Sequence, residues 1–138
     1  MSRSGLSEYE AASQEEQWAF IRFRGAVNSA IKGKRGQAFL RELLAAMDAM
    51  PEKKLIAHDL EAGGQFCALG VVGHARGIDM AKINADEPDE VAQAFGIAEA
   101  MCQEIAYMND DGYYHNEPPE QRFRRMRAWV EKKIVEQE

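Results

Sequence analysis

A chain of 138 residues, 46% hydrophobic and 29% charged, has the composition of one globular domain, so global disorder is excluded and no metal or disulfide is needed to close a core. Two cysteines, Cys67 and Cys102, read as reduced thiols; with no apolar leader at the start and no run near the ~20 apolar residues of a membrane span, the expected place is the cytoplasm. The formal net charge of −6 is unevenly laid out: residues 22–41 carry six basic and no acidic side chains, residues 86–111 eight acidic and no basic, and residues 122–133 six basic and one acidic.

Residues 1–13 are small and polar and predict a flexible N-terminus ahead of a single globular domain, 14–138. Ser13 and Glu16 have the spacing of a capping box, and Trp18, Ile21, Phe23, Ala26, Val27, Ala30 and Ile31 recur at helical spacing. A first helix over 14–32 follows, with Gly33 at its left-handed C-terminal position. Phe39, Leu40, Leu43, Leu44 and Met47 predict a second helix from 35 to 50, stopped by Pro51. The short connection Gly33-Lys34-Arg35-Gly36 makes the two an antiparallel helical hairpin.

The period then changes. Residues 54–60 read as a short strand, Gly63-Gly64 as a turn and 65–67 as the returning strand. From Ala68, the residues Leu69, Val71, Val72 and Ala75 fit a short helix closed by Gly77 with Ile78 behind it; a strand continuing through Val72 is the rival reading. Residues 79–86 form a connector. Glu87-Pro88-Asp89 opens a helix that runs to about 109 on Val91, Ala94, Phe95, Ala98, Met101, Cys102 and Ile105, with Gly96 placed to break it in two. Residues 109–112 have turn chemistry, Tyr113, Tyr114 and His115 sit in a loop closed by Pro118-Pro119, and a last helix over 119–135 buries Phe123, Met126, Trp129, Val130 and Ile134. The fold class is α+β, predominantly helical: an N-terminal antiparallel helical hairpin, one short β-hairpin and two to three further helices.

Few residue patterns point to chemistry. His58, His74 and His115 are scattered and neither cysteine has a CxxC partner, so no metal site is expected. Residues 107–118 lack calcium-loop ligands at the first and last positions. No nucleophile stands with a base at a telling spacing, so the expectation is a non-enzyme without cofactor. Residues 89–105 have the outline of a helix-turn-helix, but the second helix carries Glu99, Gln103 and Glu104 and no cation, which speaks against DNA reading. Arg122, Arg124, Arg125 and Arg127 with Phe123 and Trp129 could form a basic nucleic-acid face; core spacing gives the aromatics to the interior and the arginines to the opposite, solvated face, where a nucleic-acid role for them stays open.

The candidate binding residues are Arg22, Arg24, Lys34, Arg35, Gln37 and Arg41. Lys34 and Arg35 stand at a helix N-terminus, where free N–H groups and the positive dipole end already favour an anion. The GxxxxGK[ST] spacing of a P-loop is missing. The bland alternative is a helix connector whose cations are solvated or paired with residues 86–90. Two further readings remain: a protein–protein inhibitor acting through the acidic segment 86–111, and a nucleotide sponge in which Trp18, Tyr113 or Tyr114 stacks a base. A small homo-oligomer is compatible with all of them.

Four stretches, FIRFRGAVNSAIKGKRGQAFLRELLAAMDAMPEKKLI, FCALGVVGHARGID, FGIAEAMCQEIAYMND and PEQRFRRMRAWV, resemble a group of small proteins encoded by tailed phages and prophages of proteobacteria, and cover most of residues 18–130. The resemblance carries no activity and no catalytic residue. It implies a setting: a phage accessory protein in the host cytoplasm that binds a host protein or nucleic acid, in host take-over or counter-defence.

Overall fold

Residue 33 alone separates the first two helices, α1 (Gln14–Lys32) and α2 (Lys34–Ala49), in the computed structural model, which describes residues 14–110 and 117–135. The expected capping box, the N-terminal segment 1–13 and the Tyr113–His115 loop lie outside the described residues. Gly33 is not left-handed, as the sequence suggests, but extended at φ −69° and ψ 163°, the conformation of a helix N-cap. Lys34, Arg35 and Gly36 are therefore the first turn of α2 rather than a connecting loop. Gly36 is where the two helices touch: a Cβ there would lie 1.9 Å from the Ala30 carbonyl oxygen. Only glycine permits that approach.

Beyond α2 the expected strand over 54–60 does not form. The ladder is two residues long on each side, β1 (Glu61–Ala62) against β2 (Gln65–Phe66), antiparallel with Glu61 opposite Phe66. The reason lies in the hydrogen bonds. Leu55 N–H donates to the Pro119 carbonyl and Ile56 N–H to that of Phe66, while Arg122 takes the Leu55 carbonyl and Asn109 the Ile56 carbonyl. Side chains from distant helices thus occupy groups a neighbouring strand would need. His58, at φ 72°, breaks the extended run. Leu55 and Leu60 nonetheless face the core and are buried.

The helical reading of residues 68–76 is correct and the strand alternative is not. Cys67 caps α3 (Ala68–Arg76) by accepting from the Gly70 N–H, and Gly77 ends it at φ 73°. Ile78 N–H then bonds the Gly73 carbonyl, the closing bond of a Schellman motif. A single 3-10 turn, Met80–Lys82, lies in the connector. Gly96, at φ 71°, splits α4 (Pro88–Phe95) from α5 (Glu99–Asp110), and α6 (Pro119–Lys133) completes the chain.

The core is one cluster. Leu40, Leu43 and Met47 of α2, Leu69 and Val72 of α3, Phe95 of α4, Met101 and Ile105 of α5 and Met126 and Val130 of α6 are all essentially inaccessible. α5 runs through its middle, packed by α1, α3, α4 and α6. α5 buries Met101, Cys102, Glu104, Ile105, Ala106, Asn109 and Asp110, and leaves the stripe of Glu99, Gln103 and Tyr107, which carries no cation for a DNA groove, toward its outer side. Among the described residues no helix is long and apolar enough to cross a membrane.

Candidate anion-binding surface

Three of the six candidate residues turn out to hold the fold together. Arg24 donates to Glu104 on α5 at 2.7 Å, and that carboxylate is 4% exposed, so the guanidinium neutralises a nearly buried acid. Gln37 is buried. Its amide donates to the carbonyls of Ile31 at 2.7 Å and Lys133 at 3.0 Å, and its Oε1 accepts from Val135 N–H at 2.7 Å. The side chain thus caps the ends of α1 and α6 at once, using carbonyls that helix termini leave unpaired. It has nothing left for an anion. Arg41 donates to the Val135 carbonyl at 2.6 Å, although it stays exposed.

Arg22, Lys34 and Arg35 are exposed and make no side-chain hydrogen bond or ion pair among the described residues. Of the bland alternative, the pairing of Lys34 and Arg35 with residues 86–90 does not occur among the described residues, and the solvated form stands. Gly33 supplies no side-chain cap, so the first N–H groups of α2 have no side-chain acceptor. Two cations beside an uncapped positive helix end form an arrangement that costs stability when empty and welcomes a negative charge.

The structure adds charge the sequence order hides. By binding Lys133 O and Val135 N–H, Gln37 draws the end of α6 against the second turn of α2. Lys132 and Lys133 come with it, Lys132 exposed and Lys133 half-buried. The start of α2, with Lys34 and Arg35, and the end of α6, with Lys132 and Lys133, are therefore neighbours in the fold. Glu136 and Glu138 follow in sequence, outside the described residues. The only sequence sign of this union was a second basic block about a hundred positions away.

That second block is mostly structural, which corrects the expectation of a solvated arginine face. Arg122 is buried and donates to the carbonyls of Asn109 at 3.0 Å and Leu55 at 3.2 Å. Arg125 pairs with buried Glu117 at 2.8 and 2.9 Å and also reaches the Met108 carbonyl. Both guanidinium groups so sit at the negative end of α5. Arg127 is held by Asp48 and Glu131. Of the four, Arg124 alone is exposed without a partner among the described residues. The hydrogen bond from Arg125, opposed by burial, holds the Glu117 carboxyl below its ordinary range.

Asn109 and Asp110, read from sequence as a turn, are instead the buried last residues of α5. Asn109 donates to the Ile56 carbonyl and accepts from Ala68 N–H, and Asp110 accepts from His58 N–H. No buried side-chain polar atom among the described residues lacks a partner. A polar cluster with every valence filled positions elements rather than ligands.

One concave feature had no signal in the sequence. An open groove of about 650 Å³ runs between the end of α2, the β-hairpin and α3. Ala46, Ala49, Met50, Pro51 and Val71 make it apolar, and the His74 ring lies 4.6 Å from that of Phe66 at one wall. Glu52, Lys54, Glu61 and His74 also line it. Among the described residues no group of His, Cys, Asp and Glu is placed to hold a metal ion. No family model, curated protein or solved structure matches the chain.

Proposed function

We propose that the protein is a non-enzymatic binding factor that engages an anionic partner, nucleic acid or an acidic protein surface, through the basic corner at Gly33. The observation that carries this reading is the contrast in pairing. Arg24, Arg76, Arg122, Arg125 and Arg127 each have a carboxylate, whereas Lys34 and Arg35 have none and flank an uncapped helix start. Unpaired cations at such a place lower stability slightly, a cost that a bound anion reverses. The resemblance to phage proteins would make that anion part of a host component, in host take-over or counter-defence.

The other readings have less to stand on. Trp18 lies fifteen residues before Gly33 on the same helix, about 22 Å away at 1.5 Å per residue, too far to stack a base whose phosphate sits at the corner. Tyr113 and Tyr114 lie outside the described residues. For an inhibitor working through 86–111, Glu104 is already paired and Asp110 buried, which leaves the acids of 86–90 and Glu99 as the exposed ones among the described residues of that stretch.

The test is capture from host lysate, at low and high salt, with the wild-type chain and the Lys34→Glu/Arg35→Glu variant as baits. A partner lost at high salt and lost with the variant supports the reading. A partner retained by the variant overturns it.

A further inference from the structure

The N-terminal half of α1 is the one helical stretch among the described residues that buries nothing. Its buried residues, Val27 and Ile31, lie in the second half. Trp18 and Ile21 are 53% and 54% exposed. At 100° per residue these two fall on one stripe with Gly25, on the side opposite Val27. A Cβ added at Gly25 would meet nothing within 4 Å, so the stripe is open there. Glu15 and Arg22 flank it on the same edge, both exposed and without an ion pair among the described residues.

We propose that this stripe is a self-association surface: two copies of the chain pair α1 against α1, antiparallel about a two-fold axis, with Trp18 of each copy packed on Ile21 of the other. The charges select both the occupant and the direction. In the antiparallel arrangement Glu15 of each copy faces Arg22 of the other, so one symmetric contact makes two opposite-charge pairs. A parallel pairing about a two-fold axis would place Glu15 and Arg22 of the two copies on opposite edges of the contact, where these charges do not meet. The contact spans residues 14–23, about 15 Å of helix, which places the dimer in the weak class that buries less than ~1,200 Å². Its geometry has a consequence for binding. The two Gly33 corners would point outward, about 40 Å apart along the paired helices, so one extended polyanion could engage both. The dimer itself does not depend on that role.

Sedimentation velocity from micromolar to millimolar protein tests the proposal. The expected result is a concentration-dependent monomer–dimer equilibrium, weakened at least about tenfold by Trp18→Ala. Glu15→Lys and Arg22→Glu should each weaken it, and the double variant Glu15→Lys/Arg22→Glu should restore it. All three positions are exposed and alanine favours helix over tryptophan, so the monomer fold, followed by circular dichroism, stays intact. A monomer at every concentration, as expected if another partner covers the stripe, would overturn the proposal. So would a dimer indifferent to Trp18→Ala, or a double variant no better than the singles.

Discussion

Residues 22–41 and residues 122–133 each carry six basic side chains, and the fold uses them in opposite ways. In the second block Arg122 and Arg125 reach inward, close off the carbonyls that end α5 and share the buried Glu117. In the first block Arg24 alone finds a carboxylate, and Lys34 and Arg35 stay in solvent at a helix end that their charge disfavours. The difference teaches that a run of basic residues has no meaning until the acceptors are known. Where buried carbonyls and a carboxylate converge, an arginine supplies stability. Where none is present, the charge stays in solvent.

Breaking the inward cluster should have the largest effect. Arg122→Leu leaves the Leu55 carbonyl without a donor and strips one cation from buried Glu117. It is expected to cost about 3–5 kcal/mol, seen as a large fall in the midpoint of chemical unfolding. The same cluster should show in the pH dependence. Glu117 is held below its ordinary value of about 4.5, so its contribution is fully present above that pH and is lost as pH falls through the lowered folded value. Glu117→Gln should therefore flatten the loss of stability below about pH 4.5, measured by urea unfolding at stepped pH. A slope unchanged from wild type would contradict the pairing.

Arg24 sits between the two behaviours. Arg24→Ala should destabilise by about 1–3 kcal/mol in thermal unfolding, because it leaves the nearly buried Glu104 without its donor. The smallest effect, and one of opposite sign, belongs to the outward pair. Lys34→Glu/Arg35→Glu puts acids into the first turn of α2 and should leave the melting temperature unchanged or raise stability by about 0.3–1 kcal/mol per residue. A marked loss of stability there would mean that these residues, too, are structural.

The helices were legible in the sequence because each buries a stripe of apolar residues at helical spacing, and because Gly77 and Gly96 stand where left-handed caps are needed. The strand over 54–60 was misread because it holds true core residues, although Leu55 and Leu60, five apart, do not keep the period of two that a strand needs. Leu55 and Leu60 do face the core, but Asn109 and Arg122, more than fifty positions away, take its backbone carbonyls. The same distance in sequence hid half of the candidate site. Gln37 looks like a polar residue at a helix start, and only its partners at Lys133 and Val135 show it to be a clamp. Lys132 and Lys133 belong to the basic corner through that clamp alone. Local spacing encodes elements; it does not encode which distant carbonyl a long side chain will find.

The most direct measurement is the affinity of the wild-type chain and of Lys34→Glu/Arg35→Glu for labelled polyanions, duplex DNA and polyglutamate, followed by fluorescence anisotropy across a salt series. Binding of at least one polyanion that weakens with salt, and that falls at least about tenfold on the double reversal while the melting temperature holds, is the predicted result. Polyanion binding that ignores the reversal, or none at any salt concentration, would contradict it.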